Sequence, residues 1–198
     1  MVIDIAGANV AEVDAAVAPV LGGPDGDVRI TLVAGAGPAP RDRAAILAGD
    51  GAQLRLVEEL YGHESRVRIT ARAPEADPAV PYRLLLPRPV PLRARSVGRI
   101  LQAMERVDAG LVLADLPGGP PARLERTAAF ARARHIAGDA ALDQVVAGIW
   151  GATVFADLAA PEPEGTVFAP PPADLARRFA RKYFDARQRA RLRALLKR

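Results

Sequence analysis

Five arginines cluster around one predicted strand and are the side chains of this sequence with the clearest potential for chemistry. Tyr82 to Leu86 (YRLLL) is a continuous apolar run, which predicts a central parallel strand. The arginines placed around its carboxyl end are Arg83, Arg88, Arg93, Arg95 and Arg99. Ligands of open α/β sheets bind at that end of the strands, and guanidinium groups donate in bidentate geometry to phosphate oxygens. The cluster is a candidate phosphate-binding site, and a solvated surface of an arginine-rich protein is the alternative interpretation.

The segments around this strand alternate between strand patterns and helix patterns. The predicted strands are Val2 to Ala6, Val28 to Ala34, Gln53 to Glu58, Arg66 to Ala71, Tyr82 to Leu86, Gly110 to Leu116 and Ala152 to Asp157. The predicted helices are Ala11 to Leu21, Arg41 to Ala48, Ser96 to Val107, Arg126 to Ala137 and Ala141 to Ile149. This alternation predicts an α/β fold of Rossmann-type layering, with a mostly parallel central sheet covered by helices.

The end of the chain differs in charge from the rest. Residues 173–198 carry ten Lys or Arg and two Asp, a balance of +8, whereas the other 172 residues have a balance of −4. We expect an α/β domain over 1–160, a proline-rich linker over 161–172 and a basic amphipathic helix over 173–198. The candidate partner-binding residues of this helix are Arg177, Arg178, Arg181, Lys182, Arg187, Arg189, Arg191 and Arg193.

Composition excludes several classes of chemistry, and missing motifs disfavour P-loop chemistry and Rossmann cofactor binding. The chain has no cysteine, which excludes disulfides, thiolate metal sites and a cysteine nucleophile. It has no GxxxxGK[ST] motif, and Pro40 stands where the dinucleotide-binding fingerprint has its third glycine. No basic segment precedes the first apolar run, and no stretch reaches the roughly 18 apolar residues of a membrane span. We therefore expect a cytoplasmic protein without a transmembrane segment, and we expect no cofactor.

The order of these elements resembles the GT-A nucleotide-sugar domain of family 2 glycosyltransferases. Pro81 to Gly118 is similar to the central strand, following helix and next strand of that family, and Arg126 to Trp150 is similar to its acceptor-side segment. The acidic motifs of the family are missing, because Val33 to Gly37 contains no carboxylate and Pro87-Arg88-Pro89 occupies the metal position. An arginine there would repel a divalent cation, so we expect no metal site.

The resemblance implies one catalytic residue and a nucleotide-sugar ligand. Asp143 stands where the family carries its catalytic base, and a carboxylate favoured by the helix dipole is the alternative interpretation. We therefore expect a degenerate or metal-independent glycosyltransferase-like domain that binds or transfers from a nucleotide-sugar. The alternative function is a non-catalytic interaction module that docks through its basic helix. Its partner could be another protein, a second copy, an anionic membrane surface or nucleic acid.

Overall fold

The computed structural model describes residues 1–23, 27–35, 50–93, 95–137, 141–156 and 158–159. In these ranges seven strands form one sheet, accompanied by five helices. The strands are β1 (Val2–Asp4), β2 (Ile30–Val33), β3 (Val67–Thr70), β4 (Tyr82–Leu86), β5 (Leu111–Ala114), β6 (Ala122–Arg126) and β7 (Ala152–Phe155). The helices are α1 (Val10–Leu21), α2 (Asp50–Tyr61), α3 (Ser96–Arg106), α4 (Thr127–Ile136) and α5 (Leu142–Trp150).

Three of the predicted segments lie outside the described residues. These are the helix over 41–48, the linker over 161–172 and the basic segment over 173–198 with its eight candidate partner-binding side chains. No helix in the described part of the chain is long and apolar enough to span a membrane.

The strand order across the sheet is β3-β2-β1-β4-β6-β5-β7. β1 pairs in parallel with β2 and β4, β2 with β3, and β5 with β7. β6 lies between β4 and β5 and is antiparallel to both. The prediction of a mostly parallel α/β sheet is confirmed, and the one antiparallel strand is an addition to it.

One face of the sheet forms the main core with α1, α2 and α3. Residues paired across neighbouring strands share a face, so Ile3, Leu32 and Leu86 lie on this side. These side chains are buried, as are those of the three helices that cover them. The helix residues in this core include Val13, Val17, Val57, Ile100 and Met104. Burying each such side chain stabilises the fold by about 1.5–3 kcal/mol, which fixes the helices on this face.

α4 and α5 pack on the opposite face, at the end formed by β5 and β6. Leu111 of β5 forms a second core there with Phe130 and Ala133 of α4 and Val146 of α5. Gly110 lies directly under this helix pair, and a Cβ atom at its position would come within 2.8 Å of Trp150 Cβ and Val146 Cγ1. Glycine at position 110 therefore permits the close approach of α5 to the sheet.

Two sequence predictions of secondary structure are wrong. Gln53 to Glu58 belongs to α2 rather than to a strand, and its buried positions Val57 and Tyr61 are four residues apart, as on one helix face. The strand β6 is absent from the sequence prediction, although it immediately precedes the predicted α4. Ser96 begins α3 as the sequence predicts, and its buried hydroxyl donates to the Leu158 carbonyl.

Candidate functional site

A small cavity lies at the edge of the sheet where the parallel strands end. The chain leaves β1 for β2 on one side, whereas β4 leads through α3 to β5 on the other side. The β1–β4 boundary is thus the topological switch point, the usual location of ligands in open α/β sheets. A cavity of about 190 Å³ opens there, and its lining residues are Val2, Asp4, Val33, Ala73, Leu85, Leu86, Pro87, Pro121 and Arg123.

Arg123 connects this cavity to the start of α5. Its Nη2 donates to Glu125 Oε1 at 2.9 Å and to Asp143 Oδ1 at 2.6 Å. Its guanidinium carbon also lies 5.8 Å from the centre of the Phe130 ring. Two charge-assisted hydrogen bonds and a cation–π contact therefore fix the orientation of this guanidinium.

Glu125 is the buried member of this charge cluster. It follows Arg123 by two residues on β6, so both side chains lie on the same face of the sheet. Glu125 is only 7% exposed. Burial raises the pKa of the Glu125 carboxyl, and the nearby Arg123 and Arg83 guanidinium groups partly oppose that rise. Arg123 therefore supplies much of the electrostatic stabilisation that offsets the burial of the ionised Glu125 carboxylate.

Asp143 lies where the sequence analysis placed it, in the first turn of α5. Its side chain is 44% exposed, in contrast to the nearly buried Glu125 side chain. The hydrogen bond to Arg123 uses Oδ1, which leaves Oδ2 to accept a proton or a ligand hydrogen bond. The strand β6 thus brings the nominated acidic residue close to the wall of the switch-point cavity.

The five arginines of the predicted diphosphate site do not converge on one point. Arg83 lies near the amino end of β4, and its Nη2 donates to the Pro74 carbonyl at 2.6 Å. Arg93 Nε donates to the Ala159 carbonyl at 2.9 Å, and Arg99 lies over the Phe155 ring at 5.8 Å. The expectation that all five surround the carboxyl end of β4 is therefore wrong for Arg83, which the antiparallel register places opposite Glu125.

Arg88 and Arg95 both follow the carboxyl end of β4. Arg88 Nη2 donates to the carbonyl of Pro117, and Arg88 Nε lies 3.1 Å from the position of a Cβ atom on Gly119. Its Nε is buried and has no hydrogen-bond partner in the described part of the chain. Arg95 is exposed and adopts a left-handed conformation with φ 62° just before α3. Of the five arginines, Arg88 is the one packed against the neighbouring β5–β6 loop.

Sequence reasoning missed Arg123, Glu125 and Asp4 as members of the site. Asp4 ends β1, and its Oδ1 accepts the Ala6 N–H at 3.0 Å. The alternation of charged and apolar residues in Ala122 to Arg126 (ARLER) was an available signal for β6. Within the described ranges, no group of three or more His, Asp or Glu side chains is placed to hold a metal ion.

No protein-family model matches the chain, and no curated protein is significantly similar to it in sequence. The assignment of a function therefore depends on the geometry of the site and on the layout of the fold.

Proposed function

We propose that this chain is a GT-A-like glycosyltransferase domain of the family 2 type, which binds a nucleotide-sugar at the carboxyl edge of its sheet without the usual metal motif. The layout supports this proposal. Four parallel strands (β3-β2-β1-β4) are followed by the antiparallel β6, an arrangement that resembles the GT-A layout. Layout alone identifies no chemistry, so the proposal depends on the site.

The observation that carries the proposal is the hydrogen bond between Arg123 and Asp143. It links the residue that the resemblance nominates as catalytic base to the wall of the switch-point cavity. In the proposed reaction an acceptor hydroxyl attacks the anomeric carbon and its proton passes to Asp143. The bond between that carbon and the diphosphate breaks, and its electron pair leaves with the nucleotide.

Arg88 is the proposed counter-charge for the leaving diphosphate. It follows β4 at the position where the family carries its metal motif, and a guanidinium can neutralise phosphate oxygens directly. Its present partner is a backbone carbonyl, so a diphosphate would replace a neutral acceptor by a charged one. A phosphate oxygen should therefore form a stronger hydrogen bond with Arg88 than the Pro117 carbonyl does.

A thermal-shift screen tests the proposal. UDP-, GDP- and dTDP-sugars are added to the full chain with and without Mn²⁺. A ligand at 100 times its Kd stabilises by about 2.7 kcal/mol, which corresponds to a rise in Tm of roughly 5–10 °C for a chain of this size. We expect Arg88→Ala to abolish the shift and Arg132→Ala, at an exposed position of α4, to preserve it. Asp143→Asn should preserve binding but lose transfer, and a flat screen would refute the proposal.

A non-catalytic interaction module is our second proposal. The observation that favours it is the internal pairing of the groups that catalysis would use. Arg88 and Arg93, two of the proposed phosphate-binding side chains, donate to backbone carbonyls. The charge balance of +8 over residues 173–198 would then supply the docking element. This proposal gains support if the nucleotide-sugar screen is flat while the full chain binds anionic vesicles.

A further inference from the structure

The strand β7 forms one outer edge of the seven-stranded sheet. In the described part of the chain it pairs with β5 alone, in parallel. The Leu111 N–H of β5 donates to the Gly151 carbonyl at 3.4 Å, and a parallel ladder uses every second residue of each strand. The main-chain groups of Thr153 therefore point toward β5. Those of Ala152 and Val154 point away from the sheet, to its outer edge.

The sequence of this edge lacks the features that usually protect an edge strand from pairing. The run Gly148 to Ala156 (GIWGATVFA) contains no charged residue and no proline. Val154 pairs with Leu113 and so lies on the face that α4 and α5 cover, yet its side chain is 66% exposed. Ile149, near the end of α5, is 55% exposed. An uncharged edge with exposed apolar side chains can accept a further strand.

The opposite edge of the sheet differs in charge. β3 has the sequence VRIT, its Arg68 side chain is exposed, and Arg66 directly precedes the strand. Two copies of β3 placed side by side would bring these like charges together, which opposes pairing. Two copies of β7 carry no charges that could repel each other. Charge therefore allows a second copy of the chain at β7 and disfavours one at β3, so the assembly would close as a dimer.

The symmetry of an antiparallel pair fixes the register of two β7 strands. Residues directly opposite each other lie on the same face, and a two-fold axis normal to the sheet relates the copies. With Val154 on this axis, it lies opposite Val154 of the second copy, and Ala152 lies opposite Ala156 of the second copy. By the alternation along β7, all three residues direct their main-chain groups outward. Each pair can therefore exchange two N–H···O=C hydrogen bonds.

We propose that the chain forms a symmetric homodimer in which the β7 edges of two copies pair antiparallel around Val154 and join the two sheets into one. The proposal is independent of nucleotide-sugar binding, because β7 is the third strand beyond β4 and lies away from the β1–β4 switch point. Two strands of four residues make a small contact, and small interfaces are weak. We expect a dissociation constant on the order of 10–100 µM.

A cysteine on the two-fold axis tests the register. The native sequence has no cysteine, so Val154→Cys carries a single thiol. The Cα atoms of a hydrogen-bonded antiparallel pair are about 5.5 Å apart, within the range of about 4.4–6.8 Å that a disulfide spans. Ala152→Cys is the matched control on the same edge and the same face. In this register the two copies of residue 152 are about 14 Å apart along the paired strands, too far for a disulfide.

Oxidation of the two cysteine variants should therefore give different results. At a concentration above the expected dissociation constant, Val154→Cys should form the covalent dimer about tenfold faster than Ala152→Cys, whose thiols meet only by collision. Non-reducing electrophoresis of timed samples measures both rates. Equal rates for the two variants, or no covalent dimer of Val154→Cys, overturns the proposal.

Sedimentation equilibrium of the full chain tests the surface without a cross-link. The native chain should change from the mass of one copy to that of two as its concentration rises through the micromolar range. Val154→Lys places like charges opposite each other and should weaken the dimer by about tenfold. Val80→Lys, at an exposed valine before β4, is the control and should leave the dimer unchanged.

The exposure of Val154 keeps this test interpretable, since a surface lysine there should fold with an unchanged Tm by circular dichroism. A native chain that stays monomeric across the concentration range overturns the proposal. A dimer that Val154→Lys does not weaken also overturns it, and would place the contact between copies on another surface.

Discussion

Replacement of Arg123 by methionine should destabilise the domain by removing the guanidinium that is hydrogen-bonded to the buried carboxylate of Glu125. Removing one partner of a buried ion pair costs about 3–5 kcal/mol, whereas an exposed pair contributes up to about 1 kcal/mol. The Glu125 side chain is 9% exposed and that of Arg123 is 33% exposed. We therefore expect the low end of the first range, about 3 kcal/mol at pH 7. The pair with Asp143, 44% exposed, should add less than about 1 kcal/mol.

The pH dependence of this loss has a definite sign. The pKa of Glu125 is already raised by burial, so the protonated form is favoured by folding. Its contribution to stability is fully present below the unfolded pKa of about 4.3 and is lost as the pH rises through the folded pKa. Arg123 lowers that pKa, and Arg123→Met should therefore raise it further. The difference in stability between the native protein and the variant should therefore be small near pH 4 and should grow as the pH rises toward 7.

A double-mutant cycle with Glu125→Gln isolates the effect. Urea unfolding, followed by circular dichroism and by the fluorescence of Trp150, the single tryptophan, gives the four free energies of unfolding. In the Glu125→Gln background, Arg123→Met should cost about 1–2 kcal/mol less than in the native background. An equal cost in both backgrounds, or a cost that does not vary between pH 4 and pH 7, would show that the loss comes from packing around Phe130 rather than from the buried charge.

Three further predictions follow from other parts of the chain. Gly110→Ala should cost about 1–3 kcal/mol in urea unfolding, because its Cβ would meet two side chains of α5 at 2.8 Å, whereas Gly148→Ala, with no atom within 4 Å, should stabilise by up to about 1 kcal/mol. Tyr61→Phe should lose about 1 kcal/mol at pH 7 with the hydrogen bond to Asp14. Burial raises the pKa of Tyr61, so the native protein should lose stability relative to this variant as the pH rises above about 10, which unfolding at pH 8 and 11 measures. Deleting residues 173–198 should abolish binding to phosphatidylglycerol vesicles, and binding of the full chain should weaken with added salt; retained binding after deletion would place the anionic contact on the domain.

Local sequence patterns predict most strands of the sheet correctly. They fail where the residue composition of a segment favours one secondary structure and its packing in the fold favours another. The apolar runs of β1, β2 and β4 form strands as their sequences predict, with residues such as Ile3, Leu32 and Leu86 buried on one face. In Gln53 to Glu58 the alternation of polar and apolar residues is also compatible with a helix, and burial of Val57 and Tyr61 on one side decides for α2. β6 is rich in Ala, Arg, Leu and Glu, which favour helices, and it becomes a strand because β4 and β5 supply hydrogen bonds on both sides.

The sequence identified single residues of the candidate site but not the contacts between them. Asp143 was identified because it begins a helix at a position that resembles a family motif. Its partner Arg123 is twenty residues earlier, and nothing in the local pattern of either segment links them. The same limit explains why the arginine cluster was only partly predicted. Arg83 and Arg88 are close in sequence, but β4 runs between them and places them at its opposite ends.

The antiparallel direction of β6 explains why charges meet at the switch point. A parallel strand presents its final residues at the carboxyl edge, whereas β6 presents its first residues there. Arg123 therefore pairs with Leu85 of β4 and lines the same cavity as Pro87 and Asp4. Glu125 then lies further along the same face, under the helices that follow β6, and becomes buried. One reversed strand thus produces both the half-buried guanidinium that lines the cavity and the buried carboxylate that accepts a hydrogen bond from it. Substitutions of Arg123 should consequently affect both the stability of the domain and the orientation of Asp143, whereas Asp4→Asn, which keeps an oxygen that can accept the Ala6 N–H, should change stability little.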